Sequence, residues 1–419
     1  MRTPVPDYLA EVLDGVAGDR SGAVADYIPD LAQADPEVLG VAVTTVAGRT
    51  YAAGDADVEF SIQSISKPFA YAAALADRGT EVVDATVGVE PSGEAFDELS
   101  LEGGTHRPKN PMINAGAIAV HHLLVGPDAT GAARVERILD FFSELAGRRL
   151  SVDESVYRSE MDTADRNLAI AHMLRNYRVL GEPAAEVVDG YTRQCAVNVT
   201  VRDLAVMGAT LANAGVHPVT GRRVVPADVA RRTLSVMAGS GMYDGAGDWL
   251  VRVGIPAKSG VAGGLIGALP GQLGLATVSP RLDGHGNSVR GVAICERLSR
   301  DMGMHLMQAE PYGSTVLRGI RPDGDTTVVA LQGVVQFSGA EAVLHRLAEM
   351  PVDDSEIVLD LSRVDRFSDV GRRMTLEGLR RLALDGHTVA VVDPDGVLPD
   401  PDLGDGTRPQ VRSRPAGGG

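Results

Sequence analysis

Cysteine is nearly absent from this chain: there are two in 419 residues, Cys195 and Cys295, and no Cys-x-x-Cys spacing. That excludes a disulfide scaffold and a paired-thiolate metal or redox centre, and structural thiols in a reducing cytoplasm are expected. Aromatic residues make up 4%, with one tryptophan, Trp249, so there is no platform for stacking nucleic-acid bases. Positive charge is scarce as well. The formal net charge of -17 argues against nucleic acid or anionic membrane as a partner. No apolar run approaches the roughly 18 residues of a membrane span. The start, Met1-Arg2-Thr3-Pro4-Val5-Pro6-Asp7, lacks the apolar stretch of a secretory signal, and a cytoplasmic location is expected. The nine histidines form no metal pattern; His121 and His122 are adjacent, and no His-Glu-x-x-His occurs. Neither a metal nor an organic cofactor is expected. What is present, 44% hydrophobic residues, suits a globular protein of two or three domains.

Apolar spacing at Leu9, Val12, Leu13 and Val16 predicts that residues 1–32 are helical. Residues 38–60 read as strands around a Gly48 turn. A helix then begins near Ser64, with Pro68 tolerated in its first turn, and stops at Gly79. Residues 110–240 are mostly helical. Strands are expected again at Leu250–Val253, Leu275–Val278 and Val289–Ile294. Strand, long helical insert, strand is the order of an α+β protein built on an antiparallel sheet. After the turn-rich stretch 311–324 a smaller α/β unit follows. Its strands are expected at Val328–Leu331, Ile357–Leu361 and Val389–Val392, and its helices at 339–349 and 369–383. The last 26 residues hold five prolines and six glycines, which reads as a disordered tail. There is no internal repeat.

The chemistry concentrates in Gln63-Ser64-Ile65-Ser66-Lys67. Ser-x-x-Lys puts a hydroxyl and an amine one helical turn apart, on one face. A helix N-terminus stabilises negative charge and disfavours an ammonium, which suits a serine nucleophile and a lysine base. Alone, the spacing is better explained by a capping serine and a surface lysine. Far downstream comes Lys258-Ser259-Gly260, the second of a pair of motifs shared with serine β-lactamases and penicillin-binding proteins. Lys258 would add positive potential, and Gly260 would let a substrate lie close to the strand. The Ser-Asp-Asn that those enzymes carry between the two motifs is missing. The glycines at 260, 263, 264 and 267 lack the Lys-Ser/Thr of a phosphate loop and read as close backbone approach.

Other runs fill the interval: Asn110-Pro111-Met112-Ile113-Asn114-Ala115-Gly116-Ala117, Ser159-Glu160, Arg166-Asn167, Tyr191-Thr192-Arg193-Gln194-Cys195 and Gly241-Met242-Tyr243-Asp244. Val24–Pro29 precedes them, and Pro256–Gly264 and Gly286–Val289 follow. In these residues, over about 20–300, the chain resembles the serine-dependent glutaminases, which have a serine β-lactamase-like fold. The resemblance implies hydrolysis of L-glutamine to L-glutamate and ammonia. It implies Ser64 as nucleophile, Lys67 as its base and Tyr243 as proton relay, with the amides of Ser64 and Val261 as oxyanion hole. It assigns Asn114, Asn167 and Tyr191 to the amino-acid end of the substrate and Glu160 to its ammonium. Gln63 would line the site, Tyr27 would close over it, and Lys258, Ser259 and Gly260 would support it. A pocket for a free amino acid needs one carboxylate and several neutral polar groups, and this set contains both.

Residues 318–395 resemble a sulphate-transporter and anti-sigma-antagonist (STAS) domain. The resemblance rests on Ile357–Ser362, Phe367-Ser368-Asp369-Val370-Gly371 and the helix after them. Aligned on Gly371, the serine that regulatory members phosphorylate falls at Asp369 or Val370. The expected layout is therefore a glutaminase domain at 1–310, a STAS-like domain at 318–395 and a disordered tail at 396–419. The second domain is expected to regulate or to bind a protein or small-ligand partner, and the resemblance implies a homo-oligomer, dimer or tetramer. Two other readings of the same residues are another Ser-Lys amidase or β-lactamase, and a catalytically silent glutamine sensor.

Overall fold

In a computed structural model, residues 5–93, 98–308, 316–350 and 355–413 are described, and the chain divides into two compact units, Met1–Gln308 and Ala309–Gly419. The first unit begins with α1 (Val5–Val16), β1 (Gly40–Thr45), β2 (Thr50–Gly54) and β3 (Phe60–Ser61). A helical region follows: α2 (Ser66–Thr86), α3 (Asn114–Leu123), α4 (Gly131–Ala146), α5 (Glu154–Asp162), α6 (Asp165–Asn176) and α7 (Ala184–Cys195). After β4 (Asn198–Val199) come α8 (Val201–Ala212), α9 (Ala227–Ser240) and α10 (Ala246–Arg252). The chain then returns through β5 (Ala257–Ser259), β6 (Gly264–Leu269), β7 (Leu273–Val278) and α11 (Val289–Met302).

The main sheet is antiparallel with order β2-β1-β7-β6-β5, so the early strands pair with strands more than two hundred residues later. Alternation along the strands gives each face its own core. Val41, Val43, Leu265 and Leu275 join Leu9 and Val12 of α1 and Ile294 and Leu298 of α11. Ala42, Ile266 and Ala276 face the helical region, where α8 lies on the sheet. That approach is close: a Cβ on Gly274 would come within 2.2 Å of the backbone of α8. Helix α2 runs through the middle of this core. Phe69, Ala70, Tyr71, Ala72 and Ala73 are all fully buried, as expected of a helix apolar on every side. The start of α2 is thereby held rigid from all directions.

Several sequence expectations change. Residues 17–32 are not helical apart from a short turn at Leu31–Gln33. Gly79 does not end α2 but kinks it, at φ 76°. Leu250–Val253 lies at the end of helix α10, where Trp249 is buried and Val251 is exposed. Val289–Ile294 opens helix α11, which Ser288 caps by accepting from the Gly291 amide. Its buried positions 290, 291, 294, 295 and 298 follow the helical period, and that is visible only over the full 14 residues.

The second unit contains β8 (Leu317–Asp323), β9 (Thr326–Val335), α12 (Phe337–Ala348), β10 (Glu356–Phe367), α13 (Asp369–Leu384), β11 (Thr388–Val392) and β12 (Gln410–Val411). Its sheet, β12-β11-β10-β9-β8, is parallel except for the β8–β9 pair. Both helices cover one face, against Val329, Leu331, Ile357, Leu359, Val389 and Val391. The expected disordered tail at 396–419 is corrected over residues 396–413. Leu398 and Leu403 are buried in this core, and β12 adds an edge strand to β11. Those two leucines supply the apolar burial that the proline and glycine count concealed. Residues 414–419 lie outside the described ones. Among the described residues, no helix is long and apolar enough to cross a membrane.

Candidate active site

Gln63, Ser64 and Ile65 form a tight turn that leads directly into α2. Gln63 has φ 51°, a left-handed conformation that costs a non-glycine residue of order 1 kcal/mol or more. The turn survives because Ile62 and Ile65 are fully buried on either side of it. Ser64 is thus fixed at the N-terminal end of a buried helix, and Lys67, 1% exposed, lies in the first turn.

Lys67 Nζ donates to Asn114 Oδ1 at 2.6 Å, and Asn114 Nδ2 donates to Asn167 Oδ1 at 3.0 Å. One hydrogen-bonded line therefore joins the starts of α2, α3 and α6. Close packing makes it possible: a Cβ on Gly116 would sit 1.9 Å from the Asn110 carbonyl oxygen. On the other side Gln63 Nε2 donates to Glu160 Oε1 at 2.5 Å and to Ser61 Oγ at 3.1 Å. Burial pushes the Glu160 carboxyl up to about 7, with the Gln63 hydrogen bond opposing the shift. Tyr191, on α7, is buried and raised well above the ordinary tyrosine range. Burial dominates, and the Cys195, Glu160 and Tyr243 charges act in the same direction.

The opposite wall is the end of β5. Gly260 packs on the nucleophile turn, where a Cβ would meet the Ile62 carbonyl oxygen at 3.1 Å and Gln63 Cβ at 3.3 Å. Val261, the next residue, is buried with Ala25, Ile28 and Leu31. Tyr243 also has a positive φ, 57°, and its hydroxyl donates to the Ser259 carbonyl at 3.3 Å. Its ring lies 3.6 Å from Lys258 Nζ and 6.0 Å from Lys67 Nζ. Lys258 is fully buried, donates to the Ser259 carbonyl at 2.8 Å, and is lowered well below the ordinary lysine range by burial and then by the Lys67 charge.

Ser64, Lys67, Gln63, Asn114, Glu160, Asn167, Tyr191, Tyr243, Lys258, Ser259, Gly260 and Val261 are thus drawn from seven separate chain segments into connected walls. Tyr27 stands apart. It is 54% exposed, in a loop tied to α5 by the Asp30 amide donating to Ser159 Oγ at 3.1 Å, beside Glu160. Sequence reading missed the layer behind the nucleophile. There Gln194 Nε2 donates to Ser66 Oγ at 3.0 Å, and His121 Nδ1 lies 2.9 Å from Gln194 Oε1. The only signal was that Gln194 follows Tyr191 by three positions. A cavity of about 940 Å³ between α12 and α13 contains none of these residues.

Comparison with known proteins agrees with this architecture. A family model described as glutaminase matches residues 22–307, and one described as Mlab, STAS domain, matches residues 319–400. The glutaminase of Corynebacterium glutamicum is 57% identical over 404 residues, covering 96% of this chain and 98% of that protein. The glutaminase of Corynebacterium efficiens is 56% identical, with 97% of each chain covered. Among solved structures, Mglu is 58% identical with a TM-score of 0.89, covering 95% of this chain and all of the other. Mglu in its glutamate form superposes with a TM-score of 0.88 at 53% identity, over 95% of this chain and all of the other. The chain belongs to the glutaminase family, with a STAS domain after the glutaminase domain.

Proposed function

We propose that this chain hydrolyses L-glutamine through an acyl-enzyme on Ser64. The observation that carries the reading is the hydrogen-bonded line Lys67–Asn114–Asn167 beside Ser64, with Glu160 held by Gln63, the residue before the serine. Lys67 takes the Ser64 hydroxyl proton as the serine oxygen attacks the side-chain carboxamide carbon. The amides of Ser64 and Val261 hold the resulting oxyanion, and the packing of Gly260 on the Ser64 turn supports that pairing. Collapse breaks the carbon–nitrogen bond. The nitrogen leaves as ammonia, taking up a proton that Tyr243 relays from Lys67. Water then attacks the γ-glutamyl ester, its proton passes to Lys67, and glutamate is released with Ser64 regenerated.

The ends of the substrate explain the remaining polar groups. Glu160 accepts the α-ammonium, and Asn114, Asn167 and Tyr191 donate to the α-carboxylate. Gln63 lines the pocket and orients Glu160 through their hydrogen bond. Tyr27 covers the bound amino acid from its exposed loop. Lys258, with Ser259 and Gly260, supports the Tyr243 ring and the end of β5 by contact and hydrogen bonding. The Glu160 carboxylate distinguishes this site from one built for a β-lactam, which has no ammonium to place.

The reading is tested by quenching the chain during glutamine turnover and weighing the Ser64 peptide. It expects an adduct of one glutamate less water, which hydroxylamine removes. An adduct on another residue, or none under burst conditions, would overturn it. The STAS domain is proposed as a regulatory or interaction module. A chain ending before residue 309 should keep the Ser64 reaction, and a folded but inactive truncation would contradict this. We also propose a cytoplasmic homo-oligomer. Fractionation of the source cells and sedimentation of the purified chain test these two points, and a secreted or monomeric protein would refute them.

A further inference from the structure

We infer that His121 and Gln194 are positioning residues for glutamine hydrolysis: through Ser66 they fix the first turn of α2, and with it the mutual placement of Ser64 and Lys67. The inference rests on the Ser64–Lys67 reading and extends it to a layer that touches no substrate.

The geometry is specific. Ser66 stands between the two reacting residues and is fully buried, as is Gln194; His121 is 1% exposed. Gln194 Nε2 donates to Ser66 Oγ at 3.0 Å, and the far end of the same amide meets His121 Nδ1 at 2.9 Å. Because Oε1 of an amide only accepts, the imidazole must donate from Nδ1. A neutral imidazole does so in one tautomer, and burial keeps His121 neutral by pushing it down to about 4. The tautomer fixes the amide, and the amide directs its N–H groups to Ser66.

The two supporting helices each serve the site twice. Asn114 and His121 are seven residues apart on α3, two turns, hence on one face. That face bonds Lys67 directly and Ser66 through Gln194. On α7, Tyr191 and Gln194 share a face at i and i+3. Helices α3 and α7 meet closely here, since a Cβ on Gly190 would come within 2.4 Å of His121 Nε2. A pure packing role would not call for this chemistry. Buried polar chains give little net stability compared with apolar residues of the same shape. This one also carries a cost, because His121 Nε2 has no hydrogen-bond partner among the described residues. What the chain supplies is direction at Ser66, where a small misplacement of neighbouring catalytic groups is expensive in rate.

The test compares the full-length chain with Gln194→Met, Ser66→Ala, their double variant, His121→Asn and His121→Leu, and with Val236→Ala on α9 as a control for lost stability. Glutamine kinetics and thermal melts are recorded for each. The inference expects Gln194→Met and Ser66→Ala to lower kcat by about ten- to a hundredfold, with KM changed less than threefold. The double variant should be no slower than the worse single one. His121→Asn, which keeps a donor near the Nδ1 position, should retain more kcat than His121→Leu. Wild-type kcat in Gln194→Met, additive losses in the double variant, or losses no larger than those of a control equally lowered in Tm would overturn it. If Gln194→Met does not fold, Ser66→Ala decides by the same criteria, since it removes a single oxygen. An active Ser64→Ala variant would instead sink the underlying reading.

Discussion

Glu160 makes the account quantitative. Its carboxyl is raised from 4.5 to about 7 by burial, against the lowering effect of the Gln63 hydrogen bond. If the ionised form receives the substrate ammonium, kcat/KM follows the ionised fraction in the free enzyme. With a pKa of about 7, about one carboxyl in eleven is ionised at pH 6 and about ten in eleven at pH 8. The expected result is a tenfold fall in kcat/KM between pH 8 and pH 6, carried mainly by KM. Glu160→Gln removes the titration. Its kcat/KM should be lower by about ten- to a hundredfold, from a lost charge-assisted hydrogen bond of roughly 1.5–3 kcal/mol. Its profile should lose the limb near pH 7. Initial rates of ammonia release at several pH values, in a buffer series of constant ionic strength, provide the measurement. A wild-type profile that is flat from pH 6 to 8, or a Glu160→Gln profile that keeps the same limb, would refute the reasoning.

The same group leaves a mark on folding, with the sign fixed by linkage. Below about pH 4.5 the carboxyl is neutral in both states and adds no penalty. As pH rises through about 7 the folded protein must ionise a buried group that the unfolded chain ionises more easily. The rise from 4.5 to about 7, at about 1.36 kcal/mol per pH unit, costs about 3 kcal/mol at full ionisation. Glu160→Gln should therefore be more stable than the parent at pH 8 and no more stable at pH 4.5. Urea melts at the two pH values test this.

Three further outcomes are expected. Lys67→Ala should lower kcat by about 10²–10⁴-fold, the range for a general base, as read by ammonia release; a loss below tenfold would remove Lys67 from that role. Gly241→Ala would bring a Cβ to 1.8 Å from the Ala257 carbonyl oxygen, pushing the Tyr243 turn off β5. It should cost about 1–3 kcal/mol or more and lower kcat, so an unchanged Tm would contradict the packing. Leu403→Ala should destabilise the STAS domain by about 2–5 kcal/mol if the segment after Pro394 belongs to its core. Wild-type urea unfolding of that domain would favour the disordered tail.

The sequence made the site legible where function needs neighbouring residues, and hid it where function needs distant ones. Ser64 and Lys67 share a helical turn, so spacing alone raised the hypothesis, and Lys258-Ser259-Gly260 strengthened it. Glu160 and Asn167 lie on different helices, α5 and α6, and meet the site through Gln63 and Asn114. Only resemblance to a family could assign them. His121 had no motif and Gln194 had no role within its run, because their bonds span 73 and 128 positions. In the fold, β1, β2 and β7 were readable as short apolar and β-branched runs next to turn residues. Leu250–Val253 and Val289–Ile294 were misread because short apolar runs suit either state until the buried period extends past two turns. The segment 396–413 misled for a different reason. Its composition is that of a loop, and two leucines suffice to anchor it.

The central claim is that Ser64 carries glutamine hydrolysis, and ammonia release from L-glutamine by the purified chain beside its Ser64→Ala variant tests it most directly, with L-asparagine as second substrate. The account predicts release by the parent, glutamine preferred, and none above background by a variant with the parent's circular dichroism and Tm. Equal release by both proteins would contradict the nucleophile. A folded parent that binds glutamine without releasing ammonia would contradict the enzyme and leave a glutamine sensor.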